Sequence, residues 1–267
     1  MHWPWVALGY VSYLAVVSIT RGEFAYRRLR LWLAVALGWA VLAPAAILGQ
    51  SGTAMSVWLE VALPALVLLG GYWLSGMLYV HPDLRIERWL LAVDNMLLMR
   101  SGALAWFRRS PRLVSDYFEL SYLLVYLLVP AGATTLALAG HGDQVGRFWT
   151  VVLLAEFACY GMLPWIQTRP PRVLESIPGH VSHATSMRRF NLGIVDRVSI
   201  QANTVPSGHA AGAVATALAV GSTMPMAGAV FLVLAAGIAV STVLGRYHYV
   251  VDSVLGVLVA VAVWIAV

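Results

Sequence analysis

The run PSGHAAGAVATALAVG, residues 206–221, joins a polar turn to an apolar stretch of helix length. Its first four residues are Pro206, Ser207, Gly208 and His209, and 39 positions after His209 comes His248, with Asp252 four further on. Two imidazoles, each beside an apolar run, suit phosphate chemistry: one attacks phosphorus and the other gives a proton to the leaving oxygen. Asp252 lies on the same helical face as His248, one turn deeper. From there it can accept the Nδ1–H of His248 and leave Nε2 as the nucleophile. The amides of Ser207, Gly208 and His209 fall where a helix begins, which makes an anion site. Two His and an Asp can also bind zinc. The Ser-Gly amides and nearby arginines suit an oxyanion instead, so neither a metal nor any other cofactor is expected.

Outward from this constellation, the chain is a bilayer sequence. Hydrophobic residues make up 60%, charged residues 11%, and the mean hydropathy is +0.79. Low-charge runs lie at about 3–20, 30–49, 56–80, 117–140, 148–166, 209–224, 226–245 and 247–267. Most approach the roughly 20 residues that cross ~30 Å of hydrocarbon. The expected fold is an all-α integral membrane protein of about eight transmembrane helices. Residues 1–55 form a two-helix N-terminal membrane segment, and residues 56–267 a six-helix catalytic core. The first run lacks a basic n-region and an Ala-x-Ala site, so it reads as a retained helix rather than a signal peptide. The single cysteine, Cys159, sits in an apolar run and reads as packing.

The constellation resembles the type 2 phosphatidic acid phosphatase superfamily over roughly residues 57–267. Pro206–His209 matches its second motif, and His248 with Asp252 its third. The third motif also has an Arg six residues before its His; that position is Thr242, while Arg246 lies two residues before His248. The first motif, Lys-x6-Arg-Pro, is met by Arg169 and Pro170, but its Lys position is Met162. All 17 basic residues are Arg, so Arg172 is the available substitute. These departures resemble the inositol-phosphorylceramide and sphingomyelin synthase branch. The resemblance implies a phosphohistidine at His248, His209 as acid and base, and Arg169, Arg172, Arg246, Ser207 and Gly208 on the phosphate.

Two segments stand outside the runs. Residues 81–116 carry six Arg and four acidic residues. Their apolar positions, from Leu84 and Ile86 to Met96 and Leu97, have helical spacing, which predicts an amphipathic helix on the membrane surface. It is either a connector or a wall for lipid passage. Residues 167–206 form an active-site loop of about forty residues, long enough to suggest function. Its Arg188, Arg189 and Arg197 are candidates for headgroup binding, or else for interfacial anchoring.

Eight helices put the 167–206 loop and the 245–248 turn on one membrane face, so all three motifs meet. Arg21, Arg27, Arg28, Arg30 and the six Arg of 81–116 share that face; Arg147 alone lies opposite. The positive-inside rule then puts the site on the cytoplasmic face of the cell (inner) membrane. The resemblance implies the exoplasmic or lumenal face.

Other residues carry less. His2, His81, His141, His180 and His183 read as packed or interfacial. Glu60 and Glu156, carboxylates within apolar runs, read as helix–helix hydrogen bonding or headgroup contacts. Gly208 and Gly212 make a small-xxx-small pair for close helix packing. The expected function is a lipid phosphomonoester phosphatase, with headgroup transfer between lipids or to a polyol as the alternative. A transporter or lipid-binding protein is the third class, opposed by the intact His209–His248–Asp252 set. The expected partners are the bilayer and a membrane lipid phosphate, with no nucleic acid. The sequence leaves the oligomeric state open.

Overall fold

A computed structural model describes residues 3–20, 22–48, 54–174 and 185–267. Arg21, His2, His180 and His183, and the Pro178-Gly179 step of the long loop, lie outside the described residues. Each of the eight apolar runs forms a helix: α1 (Trp3–Thr20), α2 (Ala25–Leu48), α3 (Ala54–Gly76), α6 (Arg112–Leu138), α7 (Val145–Gly161), α10 (Gly208–Gly221), α11 (Pro225–Leu244) and α12 (Val250–Ala266). Between them come α4 (Leu84–Arg100), α5 (Ala103–Arg109), the single turn α8 (Pro171–Leu174) and α9 (Ser186–Val198). The described residues contain no strand, only an isolated bridge between Thr168 and Asn203. The chain is an all-α membrane protein.

By length and composition, α1, α6 and α11 can each cross a membrane, and α4 with α5 would make a fourth if that bent pair is one span. Two of the other apolar helices are short: α10 has 14 residues and α12 has 17. The motif turns explain this, because α10 and α12 both start at turns already inside the protein, with Ser207 and Tyr249 fully enclosed.

One apolar core runs through the bundle. It takes Leu8 and Leu14 of α1, Val125 and Leu136 of α6, Phe148, Trp149 and Leu153 of α7, Val220 of α10 and Ala260 of α12. Helix α1 thus packs directly on α3 and α7, and α2 packs on α1. Tyr10 of α1 stacks on Phe157 of α7 with centroids 4.0 Å apart. Cys159 is fully buried in this core. Gly208 and Gly212 do serve close packing, against α7. A Cβ on Gly208 would lie 2.3 Å from the Tyr160 ring, and one on Gly212 1.9 Å from the Glu156 carboxyl.

The 81–116 segment is helical but not one helix. Asp83 caps α4, its carboxylate accepting the amides of Arg85 and Ile86 at 2.8 and 3.2 Å. The chain then bends by 67° into α5, through Gly102 at φ +69, a conformation glycine adopts freely. The outer face of α4 mixes apolar and basic side chains: Trp89 and Met96 are exposed beside Arg85, Arg88 and Arg100. Its inner face carries carboxylates, for Glu87 and Asp94 are buried at 3% and 0% exposure. Burying two acids while exposing Trp and Met inverts the pattern of a soluble protein. With the exposed arginines, it fits an amphipathic helix at a membrane surface whose buried acids meet cations of other elements.

Candidate active site

The three motifs converge. Asn203 donates to the Asp252 carboxylate at 2.8 Å, and the Arg172 amide donates to the Arg246 carbonyl at 3.0 Å. The rings of His209 and His248 lie 5.4 Å apart, centroid to centroid, tilted by 57°. His209 sits one residue inside α10, whose N-cap Ser207 accepts the Ala210 amide at 3.4 Å. His248 sits on the turn between α11 and α12. The amides of Tyr247 and His248 both donate to the Thr242 carbonyl at 2.9 Å. Thr242, where the related motif has Arg, is fully buried and shares a 2.8 Å hydroxyl contact with Ser253. It anchors the turn and has no place on a phosphate.

Asp252 is placed as its spacing predicts, one turn beyond His248, but the expected hydrogen bond is not formed. Its Oδ2 is 3.6 Å from His248 Nδ1, beyond hydrogen-bond length. That oxygen instead accepts from Asn203 and, at 3.0 Å, from the Tyr249 amide at the start of α12. Among the described residues, His248 Nδ1, His209 Nε2 and Asp252 Oδ1 are buried without hydrogen-bond partners. Unpaired polar atoms gathered at one point are costly in a folded core and fit a site that a polar ligand completes. Burial, and then the Arg172 guanidinium, push the His248 imidazole down from 6.5 to about 3. It is therefore neutral near pH 7, as a nucleophile must be.

The arginines divide in a way their spacing does not reveal. Arg169 is held by Glu87 in a two-pronged pair, Nε at 2.9 Å and a terminal nitrogen at 2.8 Å, and its amide also reaches Glu87 at 2.8 Å. Arg246 is enclosed at 0% exposure and paired with Asp94. Arg188, expected on a headgroup, is buried against Glu119 and the Gly245 carbonyl. Arg189 and Arg197 are exposed on α9, where Arg189 donates to Ser186 at 3.1 Å. Arg172 differs. Among the described residues it has no carboxylate partner, and it lies 5.4 Å above the Tyr247 ring, lining a cleft with His209 and His248. The Ser207 amide is likewise committed, to the Asp252 carbonyl at 2.9 Å, and the Gly208 amide reaches Thr204 Oγ1 at 3.4 Å.

Behind the polar cleft lies an apolar chamber of about 130 Å³ between α3, α6, α7 and α10. Leu68, Leu69, Val125 and Val129 line it, and Glu156 and Tyr160 are its polar wall. The Tyr160 hydroxyl donates to Glu156. Tyr72, Tyr160 and His209 belong to both spaces, so His209 stands where a polar head would meet an apolar tail.

Sequence reasoning missed several of these residues. Asn203 is an ordinary loop polar until the fold brings it to Asp252. Tyr122 stacks on both His209 and Tyr247, at 4.9 and 3.9 Å, and reads in sequence as one more membrane aromatic. Glu87 and Asp94 had a signal: two acids seven residues apart share a helical face, with Trp89 and Met96 on the far side.

A sequence model of the PAP2 superfamily matches residues 88–266, more than half the chain, and the protein belongs to that superfamily. The match begins within α4, so Asp94 falls inside it and Glu87 lies one residue before it. No curated protein and no solved structure matches the chain. Membership supports phosphatase-like chemistry on lipid phosphoesters in general.

Proposed function

We propose that the protein is a membrane lipid-phosphate phosphatase acting through a phosphohistidine on a lipid phosphomonoester. The observation that carries this reading is the single cleft holding His209, His248 and Arg172, with the apolar chamber behind His209. A phosphate in the cleft would meet Arg172, and the lipid body would lie in the chamber. His248 Nε2 attacks phosphorus in line as the phosphorus–oxygen bond to the lipid breaks. His209, which takes up a proton when the anionic phosphate binds beside it, gives that proton to the departing oxygen, and the lipid alcohol leaves. Water then attacks the phosphohistidine, His209 takes its proton, the phosphorus–nitrogen bond breaks, and phosphate departs. Arg172 offsets charge on the non-bridging oxygens. Arg169 and Arg246, tied to Glu87 and Asp94, hold the loop and the turn around it. No cofactor takes part. All eight apolar helices cross or enter the bilayer, and the site faces the cytoplasm.

A second reading is headgroup transfer, with an alcohol in place of water. The engagement of Arg169 and Arg246 by carboxylates favours it. With those charges offset, Arg172 is left to face the phosphorus group, which suits a singly charged diester more than a doubly charged monoester. Purified protein incubated with labelled phosphatidate and with a labelled phospholipid diester, each with and without acceptor alcohols, separates the readings. Release of inorganic phosphate from phosphatidate supports the first. Label passing only from the diester to the alcohol supports the second.

A further inference from the structure

We propose that Asp94 of α4 is a positioning residue for His248, a role that rests on the reading of His248 as the nucleophile. One carboxylate holds the chain on both sides of that histidine. Asp94 pairs with the Arg246 guanidinium, two residues before His248. Its other oxygen, Oδ1, accepts the Val250 amide at 2.7 Å, two residues after it. Asp94 and Arg246 are both at 0% exposure, so water does not compete for either contact.

The turn needs such a clamp. Arg246 has φ +61, a left-handed conformation that costs a non-glycine residue on the order of 1 kcal/mol or more and persists where surrounding contacts impose it. The Thr242 carbonyl pins the turn from the α11 side through the amides of Tyr247 and His248. Asp94 pins it from the α12 side, as an acid should at a helix N-terminus. Meanwhile Asp252, the residue that spacing nominates to orient the imidazole, stands 3.6 Å from Nδ1 and is committed to Asn203 and Tyr249. His248 is therefore placed by its backbone more than by a ring partner. The same clamp reaches the arginine of the cleft, because the Arg246 carbonyl accepts the Arg172 amide at 3.0 Å. One turn pair earlier on the same face, Glu87 holds Arg169, so α4 fastens both ends of the motif region.

The test uses the full chain in detergent with labelled phosphatidate. Kinetics per folded molecule are measured for Asp94→Asn and for the double variant Asp94→Asn/Arg246→Gln, together with hydrogen exchange over residues 245–252. The double variant removes both buried charges at once and so guards against a single variant that fails to fold. Displacing a nucleophile by ~1 Å can cost about 100-fold in rate. The expected result is a kcat reduced by about 10- to 100-fold in both variants, KM within about 3-fold, and faster exchange at 245–252 with the other helices unchanged. Wild-type kcat with unchanged exchange at 245–252 would overturn the proposal and leave Asp94 a stabilising residue only. His248→Asn runs alongside. If it keeps activity, the nucleophile reading fails, and exchange at 245–252 in the Asp94 variants still decides whether Asp94 holds the turn.

Discussion

His209 and His248 face each other with ring centroids 5.4 Å apart, one at the start of α10 and the other on the turn before α12. At that separation the two rings are within aromatic contact range, and both line one cleft. Arg172 lines the same cleft, so a phosphoryl group bound there would meet its cation beside both imidazoles.

The arginines are expected to be unequal. A charged hydrogen bond to a bound phosphate contributes roughly 1.5–3 kcal/mol. Arg172→Ala should therefore lower kcat/KM by about one to two decades while the melting temperature holds. Arg246→Ala leaves Asp94 buried without its cation, which typically costs about 3–5 kcal/mol, so it should show first as lost stability. Steady-state kinetics and thermal melts on both variants check this. Wild-type kinetics in Arg172→Ala would remove it from the phosphate site.

Stability should carry the signature of His248. Its folded value lies near 3, against an ordinary 6.5, because burial and Arg172 disfavour the charged ring. The unfolded chain takes up the proton first as pH falls, so the contribution is fully present above about 6.5 and is lost progressively between about 6.5 and 3. From pH 7 to 5 the loss is on the order of 2 kcal/mol. Melting temperatures in detergent should fall over that range, and fall less in His248→Asn. Identical pH dependence in the two proteins would contradict the placement.

Chelation should leave activity intact and vanadate should inhibit it. Vanadate mimics five-coordinate phosphorus, and the cleft offers it a guanidinium and two imidazoles. Activity lost with EDTA and restored by a divalent ion would instead favour the zinc reading of the same histidines.

The membrane face can be read by thiol labelling. Arg27 of α2 donates to the Tyr79 carbonyl at 2.8 Å, at the end of the bundle that holds Arg169, Arg172, Arg188 and Arg246. Arg147, by contrast, starts α7 at the other end. On the insertion bias, the arginine-rich end is expected inside the cell. With Cys159 replaced by Ser, Gly142→Cys should react in intact cells with an impermeant reagent. Ser186→Cys should stay protected until the membrane is broken. The reverse pattern would place the site outside.

Much of this was legible in the chain. The Pro-Ser-Gly-His turn, the spacing of His248 to Asp252 and the eight apolar runs led to the helices and to the meeting of the motifs, because local periodicity and helix direction fix both. Partners brought together by tertiary folding were not legible. Spacing put Asp252 near His248, but Asn203 lies 49 residues away and takes the carboxylate first. Proximity in sequence nominated Arg246 and Arg169 for phosphate, yet Asp94 and Glu87, 152 and 82 residues distant, hold them. Helical spacing in 81–116 announced an amphipathic helix without saying that its acids face inward. That depends on cations supplied by other elements.

The central claim, that His248 becomes phosphorylated, is tested most directly by trapping. Purified protein is mixed briefly with a lipid phosphomonoester labelled on phosphorus, quenched in alkali, digested and mapped. The account predicts an alkali-stable, acid-labile label on the peptide carrying His248, absent in His248→Asn and longer-lived in His209→Asn, which lacks the base for the water step. Label on the His209 peptide, or near-normal turnover by His248→Asn, would contradict it.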